Sequence, residues 1–531
     1  TWFQPFSFID GVDLGPKNAL ATEAGGARKD WAVSTDFRPL AFSAPGTLDG
    51  EVVFAGYGIS AKDLSWDDYA GLDVKGKVVL VLRYSPDGDD EKSPFSPYAA
   101  LRFKASLARE KGAKAVLVAT GPLTKDVPDE LVAMRTDAAF ADAGIVALSV
   151  KRPVAEALFT GSAKTLEAAQ KAIDDAKKPG SFALPDAEVS LVADVTPRRV
   201  TTRNVIGRLT NPDGLRKEQI LIVGAHYDHL GTGGSTSLDA SGKAPIHPGA
   251  DDNASGVGAL LELARLFKAR QASLQRSMLF ISFGAEEEGT LGSLHFTKEP
   301  TVPLADVVAM VNLDMVGRLR DDKLDLHGIG TSPAWKPLID KANEEAKLKL
   351  SFHPGGFGPS DHSPFYAAKL PVLFAFTGAH ADYHKPSDTP DKINAEGIAR
   401  IDEFLLPVLE GVVNAPERIA FTPVKDETPP RSGRSFRVWV GGIPDFSEEK
   451  PGVRFSGVTA GSPAEKAGLR AGDLLVRFGD KEIRNIYDYT YALQGRKPGE
   501  KVILIVQRTE GEKTVDTPVE VTLGSRPDAT K

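Results

Sequence analysis

The 531-residue chain contains no cysteine. That excludes disulfide crosslinks and thiolate metal sites, so any metal held here must use histidine and carboxylates. No apolar run approaches the roughly 18–20 residues that a membrane helix requires. Basic charge is not in excess either. Sixty-four Lys and Arg stand against 72 Asp and Glu, a formal net charge of −8, which argues against nucleic acid as a partner. Internal repeats and low-complexity tracts are missing. The chain starts at Thr1 without Met and without a charged-then-apolar leader. The expectation for such a start is a trimmed secretory or lipoprotein signal and an extracytoplasmic location, whether periplasmic, secreted or membrane-anchored.

Histidine is missing from most of the chain. All nine fall between His226 and His384. Scattered structural histidines would not leave both ends empty, so metal chemistry is confined to the middle. Length alone predicts roughly three or four domains at about 150 residues each, and the ordinary apolar content supplies a sizeable core.

What is present centres on Leu221 to Asp252 and the helix that follows. The apolar run LIVGA reads as a buried strand that delivers His226 and Asp228 at its end. A Gly- and Ser-rich loop then leads to Asp251, Asp252 and Asn253, directly ahead of an amphipathic helix. Strand ends and helix starts are rigid places from which to hold a metal.

The remaining chain divides around this stretch. Residues 1–45 carry apolar patches such as TWFQPFSFI and read as an edge strand or two, the N-terminal part of the central domain. Residues 46–190 form an α/β unit with strand-like EVVFAGYGI, GKVVLVLRY, AVLVA and GIVALSV and one amphipathic helix, YAALRFKASLAREKGA. It has no His, which reads as a non-catalytic accessory. From 191 to 415 strands and helices alternate, predicting a mixed, largely parallel sheet flanked by helices, with functional groups at the strands' carboxyl ends. The proline-rich stretch 416–434 reads as a linker, and 435–531 as a small β-rich unit.

Five positions at strand ends make a candidate ligand set: His226, Asp252, Glu287, Asp314 and His384. A lone His is more often structural, and an acidic pair at a helix start is commonly a cap. Repeated termination of hydrophobic strands in His or carboxylate is far more specific. Two His and three carboxylates suit two zinc ions sharing one carboxylate. Glu286, beside Glu287, is placed to act as a base that is not itself a ligand. His229, His247 and His295 read as structural or solvent-exposed.

In order, GAHYDH, GADDNASG, AEEEG, NLDM and YHKPSDT resemble the di-zinc aminopeptidase family, which includes bacterial leucyl aminopeptidases and, more distantly, glutamate carboxypeptidase and the transferrin-receptor ectodomain. The resemblance covers about 1–45 and 190–415. It implies that His226 and Asp314 complete one zinc, that Glu287 and His384 complete the other, and that Asp252 bridges. It further implies Glu286 as general base and Tyr383 as the group stabilising the tetrahedral oxyanion. In this picture Asp228 accepts the second ring proton of His226, and Asp388 serves the His384 loop. The GPSDHSPF stretch, with Ser360, Asp361 and His362, resembles a substrate-side loop of the family and equally reads as a helix cap.

The 46–190 unit resembles the protease-associated domain often inserted in this family. The last unit, through GSPAEKAGLRAGDLL, resembles a PDZ domain, which binds peptide carboxyl ends by strand addition. Its carboxylate loop would lie near Val440–Ile443, made atypical by Gly441, Gly442 and Pro444. The implied function is a zinc-dependent exopeptidase acting on peptide substrates, most directly an aminopeptidase. The alternatives are an inactive binding protein on the same scaffold, a carboxypeptidase or dipeptidase, and a single-zinc glutaminyl cyclase. The complete ligand set argues against the first and the last of these.

Overall fold

The computed structural model describes every residue except 1, 91, 126, 135–141, 235, 240, 242, 244, 425–437, 446–449, 460, 495, 511–512 and 526–531. Its centre is an eight-stranded mixed sheet. The strand order is Phe3–Leu14, Val195–Leu209, Ser277–Phe283, Ile220–His226, Val307–Leu313, Val372–Phe376, Lys323–His327 and Lys349–His353. The middle four run parallel, so their carboxyl ends share one edge.

Ile220–His226 and Val307–Leu313 are buried along their whole length, as expected of strands covered on both faces. Alternate residues serve opposite layers. Leu221, Val223 and Ala225 face a core with Leu263, Phe267, Phe404 and Leu405. Ile220 and Ile222 face another with Phe296, Phe365 and Tyr366. The first layer is built by helices Gly256–Ala269, Trp335–Ala346 and Ala395–Asn414, the second by Leu291–Lys298 and His362–Ala367. Gly256–Ala269 buries Ala259, Leu260, Leu263 and Phe267, one apolar stripe at helical spacing.

One residue in that packing is out of character. Asp402 on Ala395–Asn414 is 1% exposed, and neither carboxylate oxygen has a hydrogen-bond partner. Burial, with Glu262 adding repulsion, pushes its carboxyl up to about 8. A folded-state pKa raised above the unfolded value favours the protonated fold. Stability is therefore lost as pH rises from the unfolded carboxylate pKa, about 4, towards 8. Asp402→Asn removes the ionisation. The variant is expected to exceed the wild type at pH 8 by roughly 2–5 kcal/mol, the gap closing by pH 4. Thermal melts across that window check this, and parallel curves for the two proteins would refute it.

A second eight-stranded sheet runs Ala27–Trp31, Ala19–Ala24, Phe182–Ala193, Gly46–Phe54, Val78–Leu82, Ala115–Ala119, Val146–Val150 and Phe37–Pro39. Its membership changes the expected 1–45 and 46–190 boundaries. Only Phe3–Leu14 of the first 45 residues joins the central sheet. Leu20, Trp31 and Phe37 are buried in the core of the second. The chain crosses between sheets near Gly15 and again at Asp194, where the Gly15 amide donates to the Asp194 carbonyl at 2.8 Å. The second unit also holds helices Arg152–Leu158 and Leu166–Ala176, the latter capped by the Thr165 side chain.

The expected linker 416–434 divides. Its portion 425–437 lies outside the described residues. The part before it is packed on the central domain, with Ile419 in the core and Arg276 donating to the carbonyls of Ala415 and Glu417. The last unit is built on Gly442–Pro444, Val453–Val458, Leu474–Phe478, Lys501–Glu510 and Lys513–Thr522 with the helix Ile486–Leu493.

That helix docks on Leu101–Glu110 of the second unit. Arg109 pairs with Asp488 at 2.9 Å, the Phe103 ring meets Tyr491 edge-on at 5.1 Å, and Arg102 lies 4.1 Å over Tyr487. Asp445 reaches Lys298 of the central domain, and Gly457 lies beside Ala367. The last unit thus touches both of the others.

Candidate metal centre

The site forms where the parallel strands end. His226 is the last residue of Ile220–His226, Asp314 directly follows Val307–Leu313, and Glu286 and Glu287 lie just past Ser277–Phe283. Asp252 comes from the turn ahead of Gly256–Ala269, and Asn253 fastens that turn. Its Nδ2 donates to the Leu313 carbonyl at 2.9 Å, and its Oδ1 accepts from the amides of Gly256 and Met315. A Cβ on Gly256 would lie 2.3 Å from Asn253 Oδ1 and 2.5 Å from the Leu313 carbonyl. The close approach requires glycine there.

Asp252 divides its two oxygens. Oδ1 faces His226 Nε2 at 3.2 Å, and that nitrogen also faces Asp314 Oδ1 at 3.4 Å. Oδ2 faces His384 Nε2 at 3.4 Å, which lies 3.2 Å from Glu287 Oε2. The five expected ligands are therefore brought together in two groups that share Asp252.

His229 joins the second group, against the expectation that it is structural or exposed. Its Nδ1 lies 2.7 Å from Glu287 Oε1 and 3.9 Å from Asp252 Oδ2, with the side chain 8% exposed. Ligand atoms of His229, Asp252 and Glu287 lie within 4.8 Å of one another, as do those of His226, Asp252 and Asp314. Proximity alone would give His229 the place expected of His384.

Ring orientation separates the two. His226 and His384 each set Nδ1 against a backbone carbonyl, Asp228 at 3.0 Å and Thr236 at 2.9 Å, and turn Nε2 to the carboxylates. A carbonyl takes the Nδ1 proton and leaves the Nε2 lone pair for a metal. His229 has no such partner at Nε2, so its Nδ1–H is free to donate to Glu287. The spacing of His226 and His229, three apart just past a strand, was the signal in the sequence that they share a site.

Two supporting acids act differently from expectation. The Asp228 carboxylate stands 3.9 Å from His226 Nδ1 and instead accepts the amides of Glu286 and Glu287 at 3.1 and 3.2 Å. It fixes the loop that carries Glu286 and Glu287. Asp388 does not reach His384. Its Oδ2 accepts the amides of Asp251 and Asp252 at 2.8 and 3.2 Å, and its Oδ1 takes Arg318 at 2.7 Å. It holds the shared carboxylate's turn. Asp251 beneath is paired with His380 at 3.1 Å. His247 and His295 are structural: the first is bonded to Ser237 and the Pro245 carbonyl, the second stacks on Phe6.

Ser360 donates to Asp314 Oδ2 at 2.6 Å while Oδ1, buried, has no partner and faces His226. An imidazole and carboxylate donor set with an orphaned oxygen aimed inward fits a divalent metal such as zinc. Asp361, fully buried, makes no side-chain cap on His362–Ala367; burial pushes its carboxyl up to about 7. His362 stacks on Phe374, and burial pushes it down to about 3.

Glu286 is held 4.0 Å from His226 Nε2. Burial raises its carboxyl well above the usual range; His226 opposes this, while Asp361, Asp314 and Glu287 add to it. A carboxylate of raised pKa is more basic than an ordinary one. The Tyr383 ring stacks on His384 with centroids 3.8 Å apart. Burial and the surrounding carboxylates push its hydroxyl up, keeping it an O–H donor.

Comparison with known proteins gives matches to parts of the chain. The sequence pattern of Peptidase family M28 matches residues 204–409, and that of the PDZ domain matches 454–508. Aminopeptidase YwaD of Bacillus subtilis is 27% identical over 345 residues, covering 63% of this chain and 62% of that protein. A probable zinc metalloprotease of Pyrenophora teres f. teres is 34% identical over 128 residues, 24% of this chain and 26% of its own. The chain spans less than two thirds of the length of these curated relatives. Among solved structures, an aminopeptidase from Aneurinibacillus sp. strain AM-1 covers 81% of this chain and 87% of its own at 23% identity, with a TM-score of 0.45. Residues 204–409 thus match peptidase family M28, and residues 454–508 match a PDZ domain.

Proposed function

We propose that the protein is a metallo-exopeptidase, an aminopeptidase removing amino-terminal residues from peptides with two zinc ions per chain. The observation that carries this reading is Asp252, which presents one oxygen to each of two His and carboxylate groups. His226 and Asp314 would hold one ion, Glu287 and His384 the other. Zinc, when bound, supplies Lewis acidity that lowers the pKa of water and polarises the scissile carbonyl.

The protein's own groups do the rest. Glu286, buried and of raised pKa, takes the proton of the attacking water and passes it to the leaving amine. The Tyr383 O–H donates to the carbonyl oxygen as negative charge develops there. Acidic groups around the site hold a free amino terminus, which favours aminopeptidase over carboxypeptidase action. The names of the curated relatives, an aminopeptidase and a probable zinc metalloprotease, point the same way. An inactive scaffold is disfavoured because no member of the ligand and base set is lost.

The PDZ domain adds a second partner class. Gly442–Pro444 is an edge strand of its sheet, open to an added peptide strand ending at the loop Val440–Ile443.

The test is metal analysis with hydrolysis of amino-acyl anilides before and after chelation. About two zinc ions per chain, with chelator-sensitive release from unblocked but not N-acetylated substrates, is expected. Stoichiometric metal without release would redirect the reading to dipeptides or carboxyl termini. Failure to bind metal would remove it.

A further inference from the structure

His380 belongs to neither ligand group, yet its side chain is 1% exposed and meets the residue next to the shared carboxylate. Its Nε2 faces Asp251 Oδ2 at 3.1 Å, and neither atom has another partner among the described residues. The ring's second nitrogen settles where the proton sits. Nδ1 accepts the Asp382 amide at 3.2 Å, which places the neutral ring's N–H on Nε2, towards Asp251.

Both ends of this contact are built into the turns that present the ligands. Asp251 directly precedes Asp252. Its Oδ1 accepts the Gly317 amide at 2.6 Å, and its carbonyl takes the Ser255 hydroxyl at 2.7 Å. Any shift of Asp251 carries Asp252 along. On the other side, the His380 carbonyl accepts the Tyr383 amide at 3.1 Å, closing a turn that runs straight into His384. His384 has a φ of 53°. A residue other than glycine occupies that left-handed region at a cost and keeps it only where its neighbours hold it. Asp388 ties the two turns together from beyond His384, through the amides of Asp251 and Asp252. His380 ties them from the near side. Two buried polar atoms that have only each other lose by separation, since neither then finds a partner.

We infer that His380 is a positioning residue of the metal centre: held between the Asp382 amide and the Asp251 carboxylate, its imidazole locks the turn presenting Asp252 to the segment carrying Tyr383 and His384. The inference rests on the two-zinc peptidase reading above. Asp252 offers one oxygen to each ligand group, so loosening its turn weakens both ions together. Loss of support for a single ligand would weaken one ion only. Tyr383 sits in the same turn, so its hydroxyl loses its aim as well, which lowers turnover even when zinc is saturating.

The test compares the full-length wild type with His380→Phe, His380→Gln, Asp251→Asn and the His380→Phe, Asp251→Asn double variant. Each is followed by zinc titration against a competing chelator, by melting of the metal-free protein, and by kinetics on an amino-acyl anilide at saturating zinc. His380→Phe keeps a ring without a donor, and is expected to weaken both ions by about 10–100-fold. Its kcat should fall by about 10–100-fold with KM little changed. His380→Gln, which can again offer an N–H to Asp251, should recover most of both losses. The double variant should lose no more zinc affinity than Asp251→Asn alone, as for two residues acting as one unit. Should His380→Phe fail to fold, His380→Asn, too short to reach Asp251, takes its place. Wild-type zinc affinity in the folded variant overturns the inference. So does a lowered metal-free melting temperature with zinc affinity unchanged, which is the mark of a purely structural contact. A glutamine variant no better than the phenylalanine one overturns it too. Zinc-loaded wild type inactive on every substrate would remove the peptidase reading, while the zinc titrations still decide the role of His380. Failure of the wild type to bind zinc overturns both.

Discussion

Glu286→Gln is expected to lower kcat by about 10²–10⁴-fold while metal content stays at the wild-type value. Gln matches Glu in size and cannot accept a proton. The substitution should leave the neighbouring ligand undisturbed, because the backbone amides of Glu286 and Glu287 are both held by the Asp228 carboxylate. Glu286 lies 4.0 Å from His226 Nε2, farther than Asp252 or Asp314, as suits a group beside the metal set. Because the lost interaction belongs to the transition state, kcat and kcat/KM should fall together, with KM little changed. Steady-state kinetics paired with metal analysis decides the matter. Near-normal turnover would remove Glu286 from the chemistry, and loss of metal would make it a ligand.

The two histidines that compete for Glu287 give the second large effect. His384→Ala should bind one zinc in place of two and lose activity to background. His229→Ala should still bind two at saturating zinc, with affinity for one of them weakened by about 10–100-fold. The difference follows from what the rings touch. His384 gives Nδ1 to the Thr236 carbonyl and aims Nε2 between Asp252 and Glu287. His229 spends its Nδ1 on one Glu287 oxygen, orienting that carboxylate. Zinc titration with metal analysis after dialysis separates the outcomes. If His229→Ala loses an ion outright and His384→Ala does not, their roles are exchanged.

The sequence revealed those parts of the site that are fixed by local rules. LIVGAH ends a strand buried on both faces, so its register against Ser277–Phe283 and Val307–Leu313 places His226 level with Phe283 at the sheet's edge. Asp314 and the Glu286–Glu287 pair follow from the same rule, since each comes directly after a parallel strand. What stayed hidden depends on partners far away in the chain. His384 owes its orientation to the carbonyl of Thr236 in a loop without periodicity, and nothing near His384 announces it. Asp388 sits in the YHKPSDT motif beside His384, yet its oxygens go to Asp251, Asp252 and Arg318. Residues 1–45 divide between two sheets because Ser7 pairs with Thr201 while Leu20 pairs with Leu191. Two alternating apolar runs look alike until their partner strands are known.

The docking of Ile486–Leu493 on Leu101–Glu110 closes the three units into a loop: central domain to insertion, insertion to PDZ domain, and PDZ domain back to the central domain through Asp445 and Lys298. A chain shortened before the PDZ domain would therefore not be the intact protein minus a tail. It would bare Phe103, strip Arg109 of Asp488 and leave an apolar, cationic scar on the insertion, inviting self-association. Conversely, a PDZ domain momentarily released from one neighbour is retained by the other and by the chain itself. Its return is then set by a high local concentration, independent of how dilute the protein is.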